Sequence, residues 1–129
     1  MPYTAHYEES KHRYVINYFR EITSEEIIDS SMEFMSSPYC TDGIDYLSIL
    51  NPDSSLGNID LQTMLEKFIP IMKENEKSVR KIHKIAWVGD DLSAPLFSLW
   101  KSLPQVEDFT ISEYFTSLSE ADKWFSQKL

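Results

Sequence analysis

One α/β domain on a mixed, mostly parallel sheet of about five strands is what this sequence predicts. Three observations carry that expectation. Two short alternating runs stand side by side at the start of the chain, the pattern of an antiparallel hairpin. Three further apolar runs then take turns with four amphipathic stretches of helical period. Such alternation makes parallel neighbours joined by right-handed crossovers. The chain has 129 residues, of which 42% are hydrophobic and 13% aromatic. That suits a single domain over residues 1–129, with a core that needs no disulfide or metal. The expected order is β-β-α-β-α-β-α-β-α.

Residues 2–9 and 13–19 form the hairpin. Tyr3, Ala5 and Tyr7 share a face of the first run, and Tyr14, Ile16 and Tyr18 a face of the second. Glu9-Ser10-Lys11-His12 breaks between them. Thr23-Ser24-Glu25-Glu26 is a capping box: the Thr23 hydroxyl accepts from the Glu26 amide and Glu26 reaches back. Ile22 and Ile27 stand at the positions of a hydrophobic staple. Ile27, Ile28, Phe34 and Met35 face inward from this helix, and Pro38 stops it by Ser37. Cys40-Thr41-Asp42-Gly43 is a turn. Residues 44–50 are mostly apolar, as in a strand buried on both faces.

Residues 51–58 read as a loop by composition. The second helix, capped by Asn58 or Asp60, spans 61–77. It carries Leu61, Met64, Leu65, Phe68, Ile71 and Met72 as one stripe. Pro70 has no N–H for the Glu66 carbonyl and is expected to kink it. Residues 82–89 are the next strand. Asp91 or Ser93 caps a third helix, with Pro95 in its first turn and Leu96, Leu99, Trp100 and Leu103 inward, ended by Pro104. Residues 109–115 are the last strand. Ser117-Leu118-Ser119-Glu120 is a second capping box before a closing helix whose inner face is Ala121, Trp124, Phe125 and Leu129.

Acidic residues outnumber basic ones 21 to 12, for a formal charge of −9. That field repels phosphate backbones and anionic lipid surfaces, so nucleic acid is not an expected partner. A basic protein surface would be steered toward it. The single cysteine, Cys40, forms no internal bridge. The first eight residues have neither a basic region nor an apolar core, so no signal peptide is expected. No run approaches the roughly 20 apolar residues of a membrane helix. The cytoplasm is the expected location.

Three stretches resemble the SpoIIAA-like, or STAS-type, family of small bacterial domains. Lys84-Ile85-Ala86-Trp87-Val88-Gly89 is similar to its hydrophobic fourth strand. Phe115-Thr116-Ser117-Leu118-Ser119-Glu120-Ala121, continuing to Trp124-Phe125, is similar to its closing strand and helix. Thr23 to Glu26 is similar to its first-helix start. The resemblance spans about residues 13–129 and implies the fold more than the activity. It also implies a regulatory role. In the antagonist branch a phosphorylatable serine stands in an Asp-Ser-Ser-Gly-Leu type pattern after the third strand. Asp53-Ser54-Ser55-Leu56-Gly57 occupies that place, with Leu56 and Gly57 exchanged.

Ser54 and Ser55 are therefore candidate phospho-acceptors, where a phosphate would add nearly two negative charges beside a helix start. Asp90, Asp91 and Ser93 lie at the carboxyl edge of the sheet, where open α/β sheets bind ligands. With Asp53, Ser54 and Ser55 they are the candidate binding residues. Cys40 has no neighbouring base to activate it. His6, His12 and His83 are not at metal-ligand spacing. Gly43, Gly57 and Gly89 are too far apart for a phosphate cradle. No catalytic residue, metal or cofactor is expected.

The reading is thus a non-catalytic binding or regulatory module, docking a protein partner or small ligand at loops 51–58 and 90–93. The alternative is a carrier of an apolar or lipid-like ligand, in the manner of the related SEC14-like proteins. Met32, Met35, Met64, Met72, Phe34, Phe68, Trp87 and Trp100 would line its pocket, which needs about 300 Å³ or more. A homodimer through the edge of the tyrosine-rich hairpin is also expected as an option.

Overall fold

Five strands make one sheet in the order β1-β2-β3-β4-β5. They are β1 (Tyr3–Glu8), β2 (Arg13–Tyr18), β3 (Ile44–Leu50), β4 (Ile82–Val88) and β5 (Ser112–Phe115). The computed structural model describes residues 3–54, 56, 59–103, 106 and 110–127. β1 and β2 pair antiparallel and every later pair is parallel. Tyr3, Ala5 and Tyr7 lie opposite Tyr18, Ile16 and Tyr14, so the two alternating faces coincide. Pro104, Phe109 and Leu129 lie outside the described residues.

Each parallel strand is added on the same side of the last. With right-handed crossovers, that puts all the connecting helices on one face of the sheet. These are α1 (Ser24–Met35), α2 (Leu61–Thr63), α3 (Ile69–Glu74), α4 (Glu76–Val79) and α5 (Ala94–Lys101). A π-helical segment, Met64–Phe68, joins α2 to α3 without a break. Only α6 (Leu118–Ser126) follows β5, and it covers the other face. Its Ala121 and Phe125 pack on Val15, Leu47, Ala86 and Val88.

Local signals explain most ends. Thr23 Oγ1 accepts from the Glu26 amide at 3.2 Å, and Ser117 Oγ from the Glu120 amide at 3.2 Å. Ile22 and Ile27 are both buried. At α2 it is Asp60 whose carboxylate accepts from Gln62, at 2.9 Å. At α5 neither Asp91 nor Ser93 provides a side-chain cap. Asp90 accepts from the Ser93 amide instead, at 3.2 Å.

Several expectations are corrected. Helices number five among the described residues rather than four, counting the continuous stretch from Leu61 to Glu74 as one. The residues after Glu74 turn at Asn75 (φ −111°, ψ 30°) into the separate α4. Just before Pro70 the helix contains a π turn that the sequence reading did not anticipate, in which the Ile69 amide donates to the Met64 carbonyl five residues back. A π turn adds a residue to the repeat. The buried positions are therefore Met64, Ile69 and Met72, while Leu65 is 36% exposed. In α5 the inward residues are Leu96, Phe97 and Trp100, and Leu99 is 57% exposed. Met32 is also turned outward, 46% exposed.

Candidate functional site

The helix-covered face of the sheet does not close completely. Between it and the helices lies an apolar cavity of about 120 Å³, partly open to solvent. Its floor is Tyr46 of β3, Ile82, Ile85 and Trp87 of β4, and Ser112 of β5. Ile82 and Ile85 share this face because β4 carries one extra residue against β3 between them, as a bulge requires. The walls are Ser31, Phe34 and Met35 of α1, Met64 and Phe68 of the π segment, Met72 of α3, and Leu96 and Trp100 of α5. Among the described residues, none of those lining the cavity is charged.

Rigid rings set the frame. Tyr18 and Trp87 stack with centroids 5.7 Å apart, Phe34 meets Tyr46 edge-on at 4.9 Å, and Phe68 tilts against Trp100 at 5.6 Å. Met35, Met64 and Met72 fill between them with flexible, polarisable chains that adapt to a guest. Of the eight residues named from sequence as a pocket lining, seven line this cavity and Met32 does not. The volume is well below the roughly 300 Å³ of a drug- or lipid-sized site. It is close to the roughly 150 Å³ of an engineered cavity that takes up benzene. A whole lipid does not fit in it as it stands; a single ring or short chain does.

None of the described strand-end residues predicted as a site lines this cavity, but their neighbour Leu56 does. Ser54 is buried, and its hydroxyl donates to the Tyr18 carbonyl at 2.7 Å. Asn51 Nδ2 donates to the same carbonyl at 2.9 Å. Ser93 is buried too, and its Oγ accepts from the Leu56 amide at 3.4 Å. Tyr114 donates to the Asp90 carbonyl at 2.7 Å. The two loops thus hold Leu56, a cavity-lining residue, between them. Phosphorylating Ser54 would require both exposing it and breaking its bond to β2. Asp53 and Asp91 are exposed and not part of this network. Ser55, Gly57 and Asn58 lie outside the described residues.

Other reactive groups are engaged structurally. Cys40 is buried, and burial pushes its thiol pKa up, away from the reactive thiolate. His12 sits at φ 50°, its ring bonded to the Tyr7 hydroxyl at 2.8 Å and the Asp42 carbonyl at 3.1 Å. Among the described residues, no group of three or more His, Cys, Asp and Glu stands close enough to hold a metal ion. Nor is any helix there long and apolar enough to cross a membrane.

On the α6 face, His83 Nδ1 and Asp45 Oδ1 are 3.0 Å apart. Burial raises the Asp45 pKa above the ordinary 3.8, against the opposing pull of His83, Arg13 and Lys84. A carboxyl raised on folding contributes stability that is complete below its unfolded pKa and is lost as pH rises through the folded value. Asp45→Asn removes that loss while keeping shape and an acceptor for His83. Relative to the parent protein, the variant is expected to gain stability between about pH 4 and about pH 7, read from urea midpoints at both. A difference that stays constant with pH would refute burial as the governing influence.

Sequence reasoning missed Tyr46 and Ser31 as cavity residues. The only signal was a tyrosine and a serine inside a mostly apolar strand run, Tyr46 and Ser48, beside Asp45. Both side-chain oxygens are buried; Ser48 Oγ has no hydrogen-bond partner among the described residues, while Ser31 interacts with the Tyr46 hydroxyl. No family model matches this chain, and no curated protein or solved structure matches it.

Proposed function

We propose that this domain is a non-catalytic binding module that takes up a small apolar ligand between its sheet and helices. The observation that carries the reading is the apolar cavity lined by Met35, Leu56, Met64 and Met72. The commitment of Ser54, Asp90 and Ser93 to holding the loops supports a binding role over a catalytic one. Because those loops grip Leu56, an occupied cavity would alter the edge of the sheet that a protein partner docks against. This is a regulatory module in the SpoIIAA-like manner, acting in the cytoplasm.

Benzene is the test probe. The five methionines provide a built-in control when their methyls are labelled with ¹³C. The Met35, Met64 and Met72 signals are expected to shift saturably on benzene addition, and that of exposed Met32 to stay still. At about ten times the dissociation constant the gain is about 1.4 kcal/mol, or roughly 4–6 °C in Tm. No methyl shift and no change in Tm would end the proposal.

A further inference from the structure

We propose that the open edge of β1 takes up an extended segment of a basic protein, paired as a further strand with its lysine or arginine side chains beside α1. The His12 and Tyr18 carbonyls, at the two ends of β2, accept from Asp45 and Asn51, at the two ends of β3. Main-chain groups alternate in direction along a strand, so Arg13, Val15 and Asn17 turn theirs the other way, toward β1. Their partners there are Glu8, His6 and Thr4. The N–H and C=O groups of Tyr3, Ala5 and Tyr7 therefore point away from the sheet, and none of them is bonded among the described residues. Thr4, Ala5 and His6 are exposed, so the middle of this edge is uncovered.

Natural sheets protect such edges with short strands, bulges, lysine or proline. The opposite edge is protected in this way. There β5 has four residues, its Ser112 is buried, and Lys101 of α5 is tied to Glu113 at 2.8 Å. By contrast, β1 has six residues in unbroken register, with no lysine, proline or bulge. Charge selects the occupant. Glu25, Asp29 and Glu33 recur every four residues along one flank of α1 and are all exposed, and α1 has no lysine or arginine. Tyr3 places that flank beside β1. Its hydroxyl donates to Glu33 Oε2 at 2.7 Å, and burial, followed by Glu33 and Asp29, pushes its pKa up to about 12. Among the described residues neither of these two acids is in an ion pair. An added strand would carry alternate side chains on the α1 side, opposite Tyr3, Ala5 and Tyr7. Cations there meet the acidic flank. A second copy of the chain would instead set one acidic flank beside another, with a formal charge of −9 on each.

The probe is a capped heptapeptide in which lysine alternates with valine, titrated into ¹⁵N-labelled protein. Binding should protect the Ala5 and Tyr7 amides from exchange and leave those of Thr4, His6 and Glu8, already directed at β2, unchanged. Peptide residues with side chains on the α1 side also turn their main chain to β1. N-methylation at the lysines should therefore abolish binding, and N-methylation at the valines should not. With Asp29→Asn and Glu33→Gln together, affinity is expected to fall about threefold to tenfold. Absence of binding, or binding that leaves Ala5 and Tyr7 unprotected, would overturn the proposal, as would binding that survives N-methylation at the lysines. An unchanged affinity in the double variant, or equal binding of a peptide with glutamate in place of lysine, would remove the basic partner. A peptide-free protein that is dimeric, with its Ala5 and Tyr7 amides already protected, would give the edge to a second copy and overturn the proposal on that ground.

Discussion

Replacing Lys84 with methionine is expected to lower the unfolding free energy by about 2–3 kcal/mol and to loosen α6 before the rest of the fold. Lys84 is 1% exposed. Its ammonium donates to the Trp124 carbonyl at 2.6 Å and the Gln127 carbonyl at 2.7 Å, and lies 4.9 Å from the centre of the Trp124 ring. Carbonyls at a helix C-terminus have no partners within the helix, and a cation there opposes the dipole. Methionine preserves most of the volume, so the substitution isolates the ammonium. Two effects compete. Removing a buried charge recovers its desolvation cost; removing two charge-assisted hydrogen bonds loses about 1.5–3 kcal/mol each. The bonds are expected to prevail because α6 buries only Ala121 and Phe125 as apolar residues, and its other polar tether is the Arg13–Asp122 ion pair at 2.6 Å. Urea titration and amide exchange in α6 measure the effect. An unchanged or higher midpoint would mean that desolvation dominates.

Much of this fold was legible because its signals are local. Alternation at Tyr3, Ala5, Tyr7 and Tyr14, Ile16, Tyr18 fixed the hairpin faces, and two capping boxes fixed two helix starts. What escaped was geometry that depends on a neighbour. Pro70 removes one helical bond wherever it stands, but whether the chain kinks or widens into a π turn depends on what the next turn packs against. Here the wider turn brings Ile69 inward in line with Met64 and Met72, and Leu65 is left outside. Helical period alone cannot reveal a five-residue spacing. The bulge in β4 is hidden in the same way, because nothing between Ile82 and Ile85 differs in composition from a regular strand. Phe97, next to the proposed face of α5, is inward for a similar reason: the face is rotated by about one residue toward β5, where its ring tilts against Tyr114 at 5.5 Å.

The candidate site was legible in its apolar part and not in its polar part. Methionines and large rings on facing elements identify a lining, because long-range packing of parallel crossovers brings those elements onto one face. Hydroxyls near strand ends carry no such information. Ser54 and Ser93 have the composition of a ligand loop, yet each is spent on a backbone group, the Tyr18 carbonyl and the Leu56 amide. Tyr46 has the composition of a core residue, yet it lines the cavity. Only coordinates distinguish a residue that closes a turn from one that lines a cavity.

The second large effect is expected at Gly89, where alanine should cost about 2–4 kcal/mol. A Cβ there would stand 2.7 Å from Leu50 Cδ1 and 3.2 Å from Leu50 Cβ, and closer still to the Tyr114 hydroxyl. The Leu50 methyl can swing aside, but its Cβ cannot. Nor is the tyrosine free to retreat, since it donates to the Asp90 carbonyl at 2.7 Å and packs on Phe97. Alanine must therefore either break that bond or spread β3 from β4. Breaking it frees the Asp90 loop, whose next contact is the Ser93 hydroxyl that holds the Leu56 amide. The same substitution should consequently weaken benzene binding, although Gly89 is not a lining residue. A double-mutant cycle with Tyr114→Phe separates the two routes. If the clash falls on the hydroxyl, alanine costs less once that oxygen is gone, with a coupling of about 1 kcal/mol or more. Strictly additive costs would place the strain between the strands and remove the reason to expect any effect on the cavity.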